Sequence, residues 1–352
     1  MSGATAIPVI ALTGYLGAGK TSLLNHVLRA PGARIGVVVN DFGDVNVDAS
    51  LVTGQVDEPA SITGGCICCL SDEEGLDGAL EKLTDPRLAL DAIIVEASGL
   101  ADPIAVSRLI RYSGVERVRP GGVVDVIDIA THFETVDTGG LPLARYGAAS
   151  LVVVNKLDQV AEADRTATLE RVENRVRERN PHAHIVGAIG ARVDPTLLYD
   201  VSDADESGDV GGQLSFRELL LDAAPDPGPA TPADAHAHVH ADSVTVTGAG
   251  CVDIGALLDL LEEPPTGVYR MKGTVAVRYR ERERRYLVNV VGPSVHVAAA
   301  PPTAPVNRLV AIGTHLDVGD VRARMEAALR PHDGPSPAAG VRRLQRYRKL
   351  SV

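Results

Sequence analysis

Short apolar runs alternate with longer segments of helical spacing along residues 1–205. The runs are rich in β-branched residues and apolar throughout, which predicts strands that are covered on both faces, as in a parallel sheet. They are Val9–Leu12, Ile35–Val39, Ala92–Val95, Val123–Ile127, Leu151–Val154 and Ile185–Val186. Helical spacing lies between them in Thr21–Arg29, Gly75–Leu83 and Ala163–Arg179. This βαβ alternation predicts a doubly wound α/β domain with a mostly parallel sheet.

The pattern changes after residue 205. Residues 206–242 are rich in Asp, Gly, Pro, Ala and His and are predicted to form a linker, within which Phe216–Leu221 has the spacing of a short helix. Residues 243–330 combine strand and helix patterns and predict a smaller α+β domain. Its predicted elements are the strands Ser243–Thr247, Thr274–Tyr279, Arg285–Val291 and Arg308–Ile312 and the helices Ile254–Leu261 and Val318–Leu329. Residues 331–352 are predicted to be a disordered tail with a basic end.

Composition narrows the classes of protein that these elements can form. Of 352 residues, 45% are hydrophobic and 23% are charged, as in ordinary globular proteins. A formal net charge of −12 argues against nucleic acid as the main partner, because phosphate binding needs a basic surface. The first residues lack the pattern of a signal peptide, and no run reaches the ~20 apolar residues that cross a bilayer. We therefore expect a cytoplasmic protein without a membrane partner, in a compartment where thiols are reduced.

A phosphate-binding loop follows the first predicted strand. The segment Gly14-Tyr-Leu-Gly-Ala-Gly-Lys-Thr21 fits the pattern G-x-x-x-x-G-K-[ST], between a strand and a helix as that pattern requires. Glycines let backbone N–H groups curl around phosphate oxygens, and the helix N-terminus adds partial positive charge. Lys20 is expected to reach the β- and γ-phosphates, and the Thr21 hydroxyl to bind Mg²⁺. The predicted nucleotide contacts of the loop are Gly14, Gly17, Ala18, Gly19, Lys20, Thr21 and Ser22.

A base-selecting motif, Asn155-Lys156-Leu-Asp158, directly follows the strand Leu151–Val154. The Asp158 carboxylate can accept hydrogen bonds from the N1–H and the 2-amino group of guanine. Adenine offers neither donor in that geometry, so the carboxylate would be left desolvated and unpaired at a cost of about 1–3 kcal/mol or more. A solvated polar loop is the alternative, but downstream of a phosphate-binding loop the motif favours GTP.

Acidic residues follow two other predicted strands. Asp41 and Glu96 each come shortly after an apolar run, and ligands of open α/β sheets bind at the carboxyl ends of the strands. We therefore expect both carboxylates to orient Mg²⁺ together with Thr21, and the backbone N–H of Gly99 to lie near the γ-phosphate. Strand-ending turns without a function are the alternative. The predicted catalytic residues are Lys20, Thr21, Asp41, Glu96 and Gly99.

Three of the four cysteines, Cys66, Cys68 and Cys69, fall within one short segment. Soft thiolates select Zn²⁺, Cu(I) or similar ions over Mg²⁺. Three protein ligands leave one position of a tetrahedron open, which suits transfer of the ion to a partner. A redox pair and buried small hydrophobic residues are the alternatives, although a Cys68–Cys69 disulfide would close a strained ring. The cluster therefore favours a metal-binding loop.

Together these motifs resemble the G3E family of P-loop GTPases, in particular the CobW-like metallochaperones. The resemblance implies GTP hydrolysis, binding of Zn²⁺ or Co²⁺ at the cysteines, a C-terminal CobW-type domain and a client metalloprotein that receives the metal, and it allows a homodimer. Asp41 stands where many relatives have Glu, and Ala97 where Thr is common. The segments that carry the resemblance are Gly14–Ser22, Asn40–Gly43, Cys66–Cys69, Glu96–Gly99, Ala101–Pro103 and Asn155–Asp158, with Arg270–Gly273 and Ile312–Gly313 in the second domain.

Other functions stay open on the residues alone. The chain could be a GTPase that activates a cobalt- or iron-dependent enzyme or a cobalamin pathway without carrying the ion. It could also be a metal-binding regulatory protein with negligible turnover. His236, His238 and His240 could supply auxiliary Zn²⁺ ligands, although a solvated linker explains them equally well.

Overall fold

The computed structural model describes residues 6–30, 34–40, 65–69, 75–99, 101–199, 240–279, 282–301, 304, 307–334 and 336–350. Several sequence predictions lie wholly or largely outside these residues: Asp41, the linker over residues 206–242 with its short helix at Phe216–Leu221, His236 and His238. Within the described ranges, no helix combines the length and the apolar composition that a membrane span needs.

Seven parallel strands form the sheet of the first domain, in the order β3-β2-β4-β1-β5-β6-β7. The strands are β1 (Ile7–Gly14), β2 (Ile35–Asn40), β3 (Gly65–Cys69), β4 (Ala92–Ala97), β5 (Val118–Asp128), β6 (Leu151–Asn155) and β7 (His184–Gly187). The helices are α1 (Lys20–Leu28), α2 (Gly75–Leu83), α3 (Pro103–Arg111), α4 (His132–Thr135) and α5 (Glu162–Arg177). The predicted doubly wound α/β domain is confirmed.

The central strands are apolar because helices cover both faces of the sheet. Along β1, Ile10 joins the core that contains α1 residues, whereas its neighbours Val9 and Ala11 join the core that contains residues of α2 and α3. Successive side chains of a strand point to opposite faces, so this alternation places one helix layer on each side. Fully burying one such aliphatic side chain contributes about 1.5–3 kcal/mol to the stability of the fold. A polar residue at one of these positions would lose that contribution, so these strands are apolar along most of their length.

The cysteine segment forms a strand, which corrects the prediction of a loop. β3 pairs with β2 along its length, with Cys66 opposite Gly36 and Cys69 opposite Val39. It stands at the outer edge of the sheet. Its own residues gave little strand signal, because Gly-Cys-Ile-Cys-Cys contains a single β-branched residue. Hydrogen bonding to the neighbouring strand defines it instead.

The second domain is an antiparallel sheet of five strands, in the order β11-β10-β9-β12-β8, packed against helices. The strands are β8 (Asp242–Thr247), β9 (Val268–Tyr279), β10 (Arg282–Val291), β11 (Ser294–Ala299) and β12 (Arg308–Gly313), and the helices are α6 (Ile254–Glu262), α7 (Val318–Ala328) and α8 (Ala338–Leu350). The predicted α+β class is confirmed. β9 begins at Val268 rather than at Thr274, and β11 was not predicted.

Helix α8 corrects the prediction of a disordered tail. Leu344 is buried in the core of the second domain, and Val341 and Tyr347 pack against the same core. Arg343 forms ion pairs with Asp259 at 2.9 Å and with Glu262 at 2.6 Å, both on α6. Val341, Leu344 and Tyr347 recur at every third position, so they share one helix face. The basic residues between them gave the segment the composition of a solvated tail.

The second domain contacts the first at the amino ends of β6 and β7. Tyr269 and Ile312 are buried in one apolar cluster with Leu197 of the first domain. The Tyr269 hydroxyl lies 3.1 Å from Oγ of Ser150, directly before β6, and its ring stacks on His184, the first residue of β7, with centroids 5.1 Å apart. The opposite, carboxyl ends of the strands carry the predicted nucleotide-binding residues.

Candidate nucleotide-binding and metal-binding site

The phosphate-binding loop runs from Gly14 at the end of β1 to Lys20 at the start of α1. Gly14, Gly17 and Gly19 have φ values of 148°, 76° and 109°, a region that residues with a Cβ rarely adopt. A Cβ on Gly14 would also lie 2.6 Å from the carbonyl oxygen of Val126, and one on Gly19 would collide with the side-chain amide of Asn155. Glycine therefore relieves both the backbone strain and the close approaches along this path, and a glycine-rich loop that leads into a helix N-terminus is typical of phosphate-binding sites.

Lys20 and Thr21 begin α1, with Ser22 exposed beside them on the first turn. Lys20 Nζ donates to the carbonyl oxygen of Gly14 at 3.1 Å, and its side chain is buried. Thr21 Oγ1 donates to Glu96 Oε1 at 2.8 Å. Glu96 is buried near the carboxyl end of β4. Three of the predicted catalytic side chains are therefore close together in the structure.

The segment after β4 packs against the phosphate-binding loop. Gly99 is buried, and a Cβ on it would lie 2.9 Å from the backbone N of Leu16. Here glycine is required by the close approach of two backbones. The proximity of Gly99 to a γ-phosphate stays a prediction.

Asn155 joins three parts of the site. Its Nδ2 donates to the carbonyl oxygen of Ala18 at 2.9 Å, and its Oδ1 accepts from the N–H of Ala191 at 2.7 Å. An amide supplies both the donor and the acceptor, which a carboxylate cannot do. Gly190 and Ala191 form a turn after β7 with φ values of 60° and 57°. This turn was not predicted from the sequence, where its local signal is a Gly-Ala pair shortly after a strand.

Lys156 and Asp158 follow Asn155 into the short 3₁₀ turn Leu157–Gln159. Lys156 has a left-handed backbone, with φ 64°, and its Nζ pairs with Asp128 Oδ2 at 2.7 Å. Asp158 is exposed. Its carboxylate is thus accessible beside an asparagine that is fixed on both sides.

A buried ion pair contacts the residue directly before the phosphate-binding loop, and it was not predicted from the sequence. Asp125 on β5 accepts from Thr13 Oγ1 at 2.9 Å and pairs with Arg145 at 2.7 Å. Burial lowers the pKa of Arg145, but the Asp125 carboxylate outweighs burial and raises it overall, so the guanidinium is charged. The signal in the sequence is a single aspartate within the apolar run Val123–Ile127.

A second buried polar network extends from α4. Tyr146 OH donates to Asp137 Oδ2 at 2.9 Å, and Arg175 pairs with the same carboxylate at 2.8 Å. His132 Nε2 lies 2.5 Å from Tyr146 OH. Burial lowers the pKa of His132 to about 4, so the imidazole is neutral at pH 7 and donates from Nε2, because the tyrosine proton is directed to Asp137. His132 also lines a small cleft beside the exposed loop residue Tyr15.

The register of the sheet connects the cysteine strand with the phosphate-binding loop. Val39 on β2 lies opposite Cys69 on one side and opposite Glu96 on the other. Glu96 in turn lies opposite Leu12, two residues before Gly14 on β1. Adjacent strands are about 4.8 Å apart, so the backbones of Cys69 and Glu96 are separated by about 10 Å.

The side chains of Cys66, Cys68 and Cys69 are not among those that the structure describes. Among the side chains that it does describe, no group of three or more His, Cys, Asp and Glu residues is arranged to hold a metal ion. His240 is exposed at the start of the second domain. Metal binding at the cysteines and at the histidines therefore stays a prediction.

Two protein-family models match the chain. The CobW/HypB/UreG nucleotide-binding domain matches residues 8–187, and the cobalamin synthesis protein cobW C-terminal domain matches residues 241–329. The zinc chaperone YjiA of Escherichia coli is 30% identical over 202 residues, which cover 56% of this chain and 62% of YjiA, less than two thirds of that relative. The zinc chaperone CobW of Sinorhizobium sp is 28% identical over 366 residues, covering 91% of this chain and 97% of that one.

Solved structures also show similarity to this chain. The crystal structure of the Zn(II)-bound YjiA GTPase from E. coli covers 92% of this chain and 99% of its own, with 23% sequence identity and a TM-score of 0.44.

Proposed function

Since this chain belongs to the CobW/HypB/UreG family of P-loop GTPases, we propose that it couples GTP hydrolysis to the binding of Zn²⁺, or a similar transition metal, and its transfer to a client protein. The nucleotide is proposed to bind at the phosphate-binding loop and at Asp158. The metal is the cargo, proposed to bind at Cys66, Cys68 and Cys69.

The observation that carries the proposal is the register across β3, β2 and β4. Cys69, Val39 and Glu96 stand in one row, and Thr21 of the phosphate-binding loop donates to Glu96 at 2.8 Å. A ligand that changes the Thr21–Glu96 contact therefore acts on a residue whose backbone lies about 10 Å from that of Cys69. That spacing supports direct communication between nucleotide and metal through a single intervening strand.

The residues at the phosphate-binding loop fit a nucleotide with Mg²⁺. Thr21 and Glu96 offer a hydroxyl and a carboxylate oxygen, which are hard ligands of the kind that this ion prefers. When bound, Mg²⁺ would offset negative charge on the β- and γ-phosphates. Lys20 would contact the same phosphates once it leaves the Gly14 carbonyl, and Asp158 would accept from the guanine base. Asp41 is proposed as a further oxygen ligand from its sequence position.

Transfer requires the cysteine strand to have two arrangements with different affinities for the ion. Three thiolates leave a coordination position that a ligand from the client protein can enter. Binding and hydrolysis of GTP would select between the arrangements, as in other nucleotide switches. By linkage, the factor by which GTP changes the zinc affinity equals the factor by which zinc changes the GTP affinity.

The proposal is tested by measuring zinc affinity against a competing chelator in the nucleotide-free protein, with GDP and with a non-hydrolysable GTP analogue. We expect the GDP-bound and GTP-analogue-bound affinities to differ by about 5–150-fold. Equal affinities in all three states, together with an unchanged rate of transfer, would contradict delivery and leave GTP hydrolysis standing.

A cysteine control locates the ion. The Cys66→Ser/Cys68→Ser/Cys69→Ser variant should lose tight zinc binding and keep its guanine nucleotide binding. Cys251→Ala is the matched control, because Cys251 is a buried thiol of the second domain. It should bind zinc as the wild type does. Wild-type zinc affinity in the triple variant would exclude this segment as the metal site.

A further inference from the structure

We propose that Asp128, at the carboxyl end of β5, is a positioning residue for the base-binding side of the nucleotide site. It acts through Lys156 and thereby sets the presentation of Asp158 to a base with an N1–H and a 2-amino group. The inference rests on the proposed guanine nucleotide binding and adds a residue that the sequence motif does not contain.

The Asp128 carboxylate is fixed at both oxygens. Its Oδ1 accepts from the N–H of Ala130 at 3.0 Å, which holds the turn after β5, and its Oδ2 accepts from Lys156 Nζ at 2.7 Å. Both side chains of the pair are largely shielded from solvent, with 26% of Lys156 and 14% of Asp128 exposed. An ion pair that is shielded and anchored on one side loses less side-chain freedom on forming than a fully exposed pair.

Lys156 needs such an anchor because of its backbone. Its φ of 64° is in the left-handed region, which is unfavourable for a residue with a Cβ. The residues around it are held: Asn155 lies opposite Asp128 in the sheet, and the N–H of Leu157 donates to the carbonyl oxygen of Ala188 at 3.2 Å. The ion pair with Asp128 fixes the side chain of Lys156 itself, at the centre of this tight bend.

The bend decides where Asp158 stands. Directly after the left-handed residue, the chain enters the 3₁₀ turn Leu157–Gln159, on which Asp158 is exposed. If Lys156 returned to a right-handed backbone, the turn would leave the position set by Asn155. Asp128 therefore stabilises the conformation in which the exposed Asp158 follows directly on the Asn155 that is held between Ala18 and Ala191.

The test compares Asp128→Asn with the wild type in titrations with GTP, GDP and the inosine nucleotide ITP, which lacks the 2-amino group. The amide oxygen can still accept from Ala130, so the variant removes the ion pair and keeps the turn. We expect GTP and GDP to bind about three- to tenfold more weakly, the preference for GTP over ITP to shrink, and kcat at saturating GTP to stay within about twofold. An unchanged affinity and an unchanged preference would overturn the inference.

A double-mutant cycle separates positioning from a general structural effect. If Asp128 acts through Lys156, the Asp128→Asn/Lys156→Met variant binds GTP no more weakly than Lys156→Met alone. Additive losses would overturn the inference. Asp259→Asn, which breaks an exposed pair with Arg343 in the second domain, is the matched control and should bind nucleotides as the wild type does. If the wild type itself showed no preference for guanine, the proposed nucleotide specificity would be refuted as well. If the wild type prefers guanine and Asp128→Asn does not change that preference, only the role of Asp128 is refuted.

Discussion

The carboxyl ends and the amino ends of the parallel strands, called here the carboxyl edge and the amino edge of the sheet, are built on opposite principles. At the carboxyl edge, the chain uses glycines with positive φ, a buried lysine and polar side chains that bridge separate segments, as Asn155 does between the backbones of Ala18 and Ala191. At the amino edge, the second domain is attached by apolar packing around Tyr269, together with a stacked His184. The first edge preserves a space for a ligand, and the second fills space with side chains.

This difference predicts a division of effects. Substitutions at the carboxyl edge should change nucleotide binding or turnover and leave stability nearly unchanged, because the residues there are expected to contact the nucleotide. Substitutions at the amino edge should lower stability and leave turnover unchanged in the folded protein, because they remove buried contacts between the domains.

The largest effect is expected for Tyr269→Ala. The change removes a buried aromatic ring from the contact between the domains and should lower the free energy of unfolding by about 3–5 kcal/mol. Denaturation in urea measures it. Tyr112→Ala is the matched control, because that tyrosine is 79% exposed, and it should change stability by less than about 0.5 kcal/mol. Loss of GTP hydrolysis by the Tyr269 variant under conditions where it is fully folded would break the division.

Lys20→Ala tests the other edge. Removing the charge that is expected at the β- and γ-phosphates should reduce kcat by about 10²–10³-fold, while the free energy of unfolding changes by no more than about 1 kcal/mol. Steady-state GTP hydrolysis and urea denaturation of the same preparation provide both measurements. Lys82→Ala, on the exposed side of α2, should retain full turnover. Wild-type turnover in Lys20→Ala would remove this loop from the active site.

The carboxyl edge was largely predictable from the sequence, because its requirements are local. The phosphate-binding loop needs glycine at defined positions, and the strands leading to Glu96 and Asn155 are apolar runs with an abrupt polar end. What was missed there acts across the sheet: Asp125 with Arg145, and Asp128 with Lys156. Each pair joins residues that are 20 or more positions apart in the chain, and the sequence does not show which residue is the partner of which.

The contact between the domains at the amino edge was not predictable, because the sequence of a strand does not indicate which part of another domain will pack against its end. Tyr269 lies at the start of β9, in a part of that strand which the period-two pattern did not include. The predictions for the cysteine strand and for α8 were wrong for a related reason. β3 owes its conformation to β2, and α8 owes its position to the core under Leu344 and to the acids of α6.

Acid pH should weaken the amino edge through His184. Burial lowers its pKa to about 4, and the positive charges of His315 and Arg177 act in the same direction. The unfolded chain, with a pKa near 6.5, therefore binds more protons between about pH 4 and pH 6.5, so stability is complete above this window and falls as the pH decreases through it. The expected loss from this residue is about 1–3 kcal/mol at pH 4.

The measurement for His184 is the free energy of unfolding from pH 7 to pH 4. His184→Gln should show a shallower decrease than the wild type, because a neutral amide replaces the group that must be protonated. His182→Gln, two residues earlier and exposed, is the matched control and should follow the wild-type curve. Parallel curves for His184→Gln and the wild type would assign the acid sensitivity to other residues, for example His132.

The smallest effect is expected for Tyr269→Phe, and it sharpens the comparison most. Ser150 Oγ uses its proton on the carbonyl oxygen of Val123 at 3.0 Å, so the tyrosine hydroxyl is the donor in the contact with Ser150. Removing that hydroxyl leaves Ser150 with both of its Val123 contacts, so no group is left without a partner, and the cost should be only about 0.5–1.5 kcal/mol. Ser150→Ala should cost more, because it leaves the tyrosine hydroxyl and the N–H of Val123 buried without that partner. If Tyr269→Phe instead destabilised the protein as much as Tyr269→Ala, the domains would be held by a polar contact, and the amino edge would follow the same principle as the carboxyl edge.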